Sequence, residues 1–307
     1  MKRLSLTATG LAGDSLEIPY ARIEGAADGP HLTVVAGVHG CEYTAQAAVM
    51  RLINELDEAQ LSGTVTAVPI LNQPGFWARA PFVVPVDDKN LNRCFPGDPN
   101  GTYTEALAHA IFTNFIQPAD YLLDLHAGDV PEGLEPFCIY EESPVAEKAR
   151  ELALVYGTGH IVRQSRDGRT VGGTTSAAAA DIGIPAIVAE WGANGICDEA
   201  SVAAHTQGVT NVLAHLGMVP AELARPAAVP AEHDGWIWLR AAVRGWWQPW
   251  IEVGQQASAG DVLGVMLDPF GAELERIVAP AAGCPMFITT SPAVLADGLL
   301  LGLAKVE

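Results

Sequence analysis

A histidine and a glutamate stand three positions apart in Gly37-Val38-His39-Gly40-Cys41-Glu42, directly after a short apolar run. Imidazole nitrogen and carboxylate oxygen both bind zinc well, and a catalytic zinc site takes three protein donors and keeps a fourth position open. The same pair would also suit a turn-capping histidine and a solvated glutamate favoured by a helix dipole. A third donor therefore decides the reading. Leu122-Leu123-Asp124-Leu125-His126-Ala127-Gly128 offers one: a second apolar run ends on a histidine. Asp124 lies two residues earlier on the same strand face, where a carboxylate can orient a ligating imidazole. A third run, Ile184-Pro185-Ala186-Ile187-Val188-Ala189, leads into Glu190-Trp191-Gly192. An unpaired carboxylate is costly to bury, but beside a metal and its water it has a use as general base. If it simply reaches solvent at the strand end, it does nothing. The polar loop Asp87-Asp88-Lys89-Asn90-Leu91-Asn92-Arg93 sets an arginine beside an amide, a fork for a substrate carboxylate or a developing oxyanion.

These residues need a scaffold that brings strand ends together. Residues 32–38 and 64–71 are β-branched apolar runs that read as buried strands, with helical spacing of apolar residues over 43–57 between them. The alternation recurs. Helices near 103–116, 143–156 and 173–182 precede strands at 121–125, 161–162 and 184–189, and a last helix covers 199–216. The expected fold is α/β, a mostly parallel mixed sheet with helices on both faces. Ligand sites in such sheets lie at the carboxyl ends of strands, where His39, His126 and Glu190 all fall. Three prolines among the alanines of 220–232 read as a linker. Short strand-like runs at 236–243, 250–253, 262–265, 275–278 and 285–289 follow, so a catalytic domain over 1–222 and a small β-rich C-terminal domain over 223–307 are expected. The tryptophans of that module, Trp236, Trp238, Trp246, Trp247 and Trp250, read mostly as packing residues of a lid or oligomerisation element. Lys305 is the only lysine beyond 224, which argues against a swinging-arm carrier.

With 36 acidic against 17 basic residues the formal charge is −19, so nucleic-acid backbones and anionic membranes are repelled on average. Five scattered cysteines with no CxxC pair suggest free thiols in a reducing compartment rather than a disulfide framework. No apolar stretch suits a signal peptide or a membrane span, and a cytoplasmic protein is expected.

Taken in order, HxxE, NLNRxFPG (Asn90–Gly97), strand-DLHAG and strand-ExG resemble the succinylglutamate desuccinylase/aspartoacylase family, relatives of the zinc carboxypeptidases. The stretch Ala279-Pro280-Ala281-Ala282-Gly283 also fits the β-module that many bacterial members carry. The resemblance implies one Zn2+ per chain held by His39, Glu42 and His126. It implies attack of zinc-bound water on an acyl-amide carbonyl, Glu190 as general base and Asn92 and Arg93 gripping the substrate, a small N-acyl amino acid or related acylated amine. Pro81 stands where relatives carry an arginine that contacts the substrate, with Arg79 as candidate replacement. Cys41 stands where an acidic residue is usual and reads as a bystander. Arg163, Arg166 and Arg169 are further cations that an anionic substrate could use, although a solvated loop explains them as well. A metallo-exopeptidase would use the same metal site, and a metal-free binding or scaffold protein would not need it. A homo-oligomer is expected.

Overall fold

The apolar run before His39 forms the central region of a mixed sheet. The computed structural model describes residues 2–11, 14–165, 172–224 and 229–305. In chain order the first part comprises β1 (Lys2–Leu11), β2 (Asp14–Glu24), β3 (Ala27–Ala36), α1 (Tyr43–Glu55), β4 (Ser62–Val68), α2 (Gln73–Ala78), α3 (Tyr103–Ile111) and β5 (Tyr121–His126). It continues with β6 (Glu132–Leu134), β7 (Phe137–Glu141), α4 (Ala146–Tyr156), β8 (His160–Gln164), α5 (Thr175–Asp181), β9 (Ala186–Glu190), α6 (Glu199–His215) and β10 (Ala231–Asp234).

Among the described residues nine strands form one sheet in the order β1-β2-β4-β3-β5-β9-β7-β8-β10. Five neighbouring pairs are parallel and three antiparallel, so the fold is α/β with a mostly parallel mixed sheet. Strand alternation divides the core as its period of two requires. Leu32, Val34 and Ala36, with Leu123 and Leu125, pack on one face against residues of α1, α4 and α6. Val35 and Leu122 pack on the other against residues of α3 and α5. The expected 143–156 helix starts at Ala146, with Val145 as its non-helical N-cap. The long β1–β2 hairpin at the sheet edge was not foreseen.

The C-terminal residues form β11 (Trp236–Arg240), β12 (Gly245–Pro249), β13 (Val262–Leu267), β14 (Glu273–Val278), β15 (Gly283–Thr289), β16 (Ala293–Val294) and β17 (Leu299–Lys305). Joined by β6 from the first part of the chain, these seven strands fall, among the described residues, into two four-stranded sheets, β11-β17-β15-β6 and β14-β13-β12-β16. One expected strand, 250–253, is instead a turn. The strand precedes it as β12, and the chain leaves the ladder where Pro249 pairs with Gly264. Two strand pairings join the C-terminal part to the rest of the chain. β6 pairs with β15, whereas β10, at the end of the proline-rich 220–232 segment, adds a parallel strand to β8.

Candidate active site

The carboxyl ends of β3, β5 and β9 lie side by side on one edge. Beyond β3, Gly37 at φ 69° turns the chain out of the ladder, and His39 follows. Gly40 then passes against α2, where a Cβ would sit 2.2 Å from the Gly75 carbonyl carbon, so this approach requires glycine. Glu42 occupies the N-cap position of α1 yet makes no capping bond. Its carboxylate is buried, with Oε1 2.6 Å from His39 Nδ1 and Oε2 2.9 Å from His126 Nδ1. Donor atoms of His39, Glu42 and His126 all lie within 4.8 Å of one another, a group that can hold a metal ion.

The far nitrogens of both rings are tied to acceptors. His39 Nε2 lies 3.1 Å from Asn90 Oδ1, and His126 Nε2 lies 3.0 Å from Asp124 Oδ2. Asn90 Oδ1 also accepts from the Asn92 N–H, which fixes the orientation of its amide. Each Nε2 therefore carries a hydrogen, and each Nδ1 is left facing Glu42. Burial alone would depress the His126 pKa, but the Asp124 and Glu42 carboxylates carry it well above its usual value. Against its own burial, Glu42 is held well below the usual carboxylate range by His126 and His39. A positive charge is thus demanded at His126 Nδ1, and either a proton or a divalent cation satisfies it. Two imidazole nitrogens and a carboxylate oxygen are a donor set that fits such a cation.

Asp124 is fully buried on β5 and supports this arrangement. Oδ2 accepts from His126 Nε2 and from the Thr175 hydroxyl at the start of α5, while Oδ1 is the one buried side-chain oxygen without a partner among the described residues. Asp124→Asn is expected to weaken metal binding about 10- to 100-fold, because an amide turned either way loses one of these acceptor contacts or its charge. Zinc titration of the purified variant against the parent measures this.

Glu190 is the last residue of β9, in register with His126 of β5. Burial pushes its carboxyl up to about 8, with Glu42 and Asp124 adding to the rise and His126 opposing it. It shares a cavity of about 600 Å³ with the His39–Glu42–His126 group, Asn92 and Arg93. Asn92 and Arg93 belong to a short 3-10 turn, Leu91–Arg93. The turn is pinned to α5 where Asn92 Oδ1 accepts the Thr175 N–H at 3.1 Å. Arg93 Nη1 donates to the Asn92 carbonyl at 2.7 Å. Arg93 also lines the cavity.

The expected arginine replacement is not in this assembly. Arg79 is the exposed, left-handed C-cap of α2, at φ 54°, and does not line the cavity. Beside Pro81, which does not line the cavity, the next residue does. Phe82 sits at φ 61° with its N–H donated to Asp129 Oδ2, and its ring meets His39 edge-on at 6.1 Å. Cys41 is buried and burial raises its thiol pKa, consistent with a bystander. Arg163 pairs with Asp234 and Glu142 away from the cavity, and Arg166 and Arg169 lie outside the described residues.

Three contributors escaped the sequence reading. Asn90, inside the quoted loop, holds His39. Glu132 on β6 lines the cavity, with its carboxyl pushed well up by burial and by neighbouring carboxylates, and no strand-length pattern marks it. The outer wall comes from the C-terminal module. Trp236 and Trp238 stack with ring centroids 4.9 Å apart, and with Phe287 and Leu295 they close the cavity from that side. Of the other tryptophans Trp247 is buried, while Trp246 and Trp250 are exposed. Among the described residues no helix is long and apolar enough to cross a membrane.

Residues 28–216 match the succinylglutamate desuccinylase/aspartoacylase catalytic domain. The N-alpha-acetyl-L-2,4-diaminobutyric acid deacetylase of Halomonas elongata is 30% identical over 234 residues, which are 70% of this chain and 67% of that protein. In structure, the chain resembles the product-bound ectoine utilization protein EutE (DoeB) of Ruegeria pomeroyi, with a TM-score of 0.87, 22% identity and coverage of 99% and 94% of the two chains. It is similar too to the succinylglutamate desuccinylase/aspartoacylase of Rhodobacter sphaeroides, with a TM-score of 0.85, 23% identity and coverage of 99% and 95%. The matched domain spans every strand end that carries the site, and on that basis the chain belongs to the succinylglutamate desuccinylase/aspartoacylase family.

Proposed function

We propose that this protein is a zinc-dependent deacylase that hydrolyses the amide bond of a small N-acyl amino acid, with an N-acetyl group as the first candidate. The observation that carries the reading is the buried His39–Glu42–His126 group opening, together with Glu190, into one cavity. His39, Glu42 and His126 would hold the zinc, which when bound supplies Lewis acidity toward the acyl carbonyl and acidifies a nearby water. Glu190 takes the proton from the attacking water and returns it to the leaving nitrogen, the single proton relay that amide cleavage requires. Arg93 lies where a guanidinium can bind the substrate carboxylate or the oxygen that gains charge, and Asn92 holds the turn that presents it. Trp236, Trp238 and Phe287 give the cavity an apolar wall, and its volume of about 600 Å³ suits a small-molecule substrate. The activity named for the Halomonas elongata relative supports an acetylated amino acid.

The test is a hydrolysis screen of acetyl-, succinyl- and formyl-amino acids and short peptides with zinc-loaded protein, alongside plasma emission analysis. Release of a free amino acid from an acyl donor with about one zinc per chain supports the deacylase. Preference for peptides indicates an exopeptidase, and less than about a tenth of an equivalent of zinc after chelator-free purification argues against any enzyme of this type. Within the deacylase reading, Arg93→Ala is expected to cost about 10²-fold in kcat/KM or more, the worth of a charge-assisted contact on an anionic group. Arg93→Lys should recover only part of it, because a lysine lacks the planar fork.

A further inference from the structure

A fully buried histidine that this chemistry leaves unused lies on α6. His205 is fully buried among Val202, Val209, Val212 and Leu213, the apolar face that packs on Leu125 and Ala189. The side chains of Leu122, Asp124 and His126 share the other face of β5, so His205 approaches the metal-binding edge from behind. Its Nε2 is 2.9 Å from the His126 carbonyl and 3.1 Å from the Trp191 carbonyl. A carbonyl can only accept, so Nε2 carries the hydrogen and divides it between the two. Nδ1 is then the acceptor of the buried Tyr156 hydroxyl at 2.6 Å, which locks that tautomer. Burial also drives the ring pKa down, keeping it neutral. Gly208, one turn along α6, leaves room for the tyrosine, since a Cβ there would come within 2.6 Å of its ring. The sequence thus devotes a histidine, a glycine and a tyrosine from two helices to one N–H.

That N–H bridges two specific strand ends. His126 closes β5, and Trp191 directly follows Glu190, the last residue of β9. Beyond them the Trp191 N–H donates to the His126 carbonyl at 3.1 Å, the Gly128 N–H to the Gly192 carbonyl at 2.9 Å and the Gly195 N–H to the Gly128 carbonyl at 2.9 Å. Resting on the zinc-deacylase reading, we propose that His205 is a positioning residue that staples these strand ends and so sets the separation between the metal donor His126 and the base Glu190. It touches neither substrate nor metal. Tyr156 is part of the same device, because it keeps the ring's hydrogen on the nitrogen that faces the carbonyls.

The test compares His205→Phe, which keeps a flat ring but no donor, with His205→Gln, which keeps an amide N–H near the same place. In metal-free, folded protein, amide hydrogen exchange at Trp191 and Gly128 is expected to be about tenfold faster in His205→Phe, with β4 unchanged, as for a local opening. In zinc-loaded protein the same variant should bind zinc about 10- to 100-fold more weakly and lose kcat by a similar factor, with KM little altered. His205→Gln should recover most of both losses. Unchanged exchange at Trp191 and Gly128 in His205→Phe overturns the staple, as does a loss that His205→Gln fails to rescue, which would assign His205 to packing alone. If the parent protein itself holds no zinc, it is the deacylase reading that fails, and the exchange experiment still decides the staple.

Discussion

Glu190→Gln is expected to lower kcat about 10²- to 10⁴-fold, the range for removing a positioned general base, with zinc content unchanged. Glutamine matches the shape but accepts no proton, and Glu190 lies outside the three-donor group, so chemistry should be lost without loss of metal. Equal turnover by parent and variant would remove Glu190 from the role of base. The pH profile gives a second reading. In the metal-free chain burial raises the carboxyl from 4.5 to about 8. A cation nearby stabilises the ionised form, so in the loaded enzyme the acid limb of kcat/KM should fall below that value and vanish in the variant. The stability signature has the opposite sense from a salt-bridged carboxylate. Between pH 4.5 and about 8 the folded metal-free chain keeps a proton that the unfolded chain has released, so this group's contribution to stability falls as pH rises. The Tm advantage of Glu190→Gln over the parent, measured with chelator present, should therefore grow across that window and level off above it.

Removing a metal donor should cost more. Glu42→Gln is expected to abolish stoichiometric zinc binding and reduce kcat/KM by at least about 10³-fold, corresponding to the several kcal/mol that a Lewis acid provides. It also acts on the fold. Glu42 bridges both imidazoles and accepts the Ala127 N–H at 3.3 Å, all within the buried site. Breaking a buried charged pair on one side destabilises by about 3 to 5 kcal/mol, so the metal-free variant should unfold well below the metal-free parent. Zinc at 100 times its dissociation constant adds about 2.7 kcal/mol to the parent and should add nothing measurable to Glu42→Gln. Thermal melts with and without zinc separate the two effects. A variant that still showed the full zinc-induced shift would exclude Glu42 as a donor.

The fold was legible where it is local. Apolar runs of strand length at β3, β5 and β9, separated by helical spacing, announce an α/β sheet, because a parallel strand buried on both faces must be apolar throughout. The long β1–β2 hairpin and the three-residue β6 lack such a signature: one is an edge feature and the other is too short to show a period. Arg79 and Arg93 were indistinguishable by residue type. A left-handed helix cap turns Arg79 away to the surface, and contact with α5 holds the Arg93 turn at the cavity.

What the sequence determined by itself is the stock of donors and their attachment to strand ends: His39, His126 and Glu190 each follow an apolar run, and Glu42 follows His39 at fixed spacing. Parallel order then makes one edge the only place where they can meet. What only the tertiary structure decided is which atoms face which. Asn90, 51 residues from His39, selects its Nδ1 for Glu42, while α6 delivers His205 to the back of His126 across 79 residues. The outer wall is supplied by aromatic residues beyond position 235. Local periodicity reports the face on which a side chain lies; ring orientation and cavity walls come from contacts between distant segments, which no local pattern encodes.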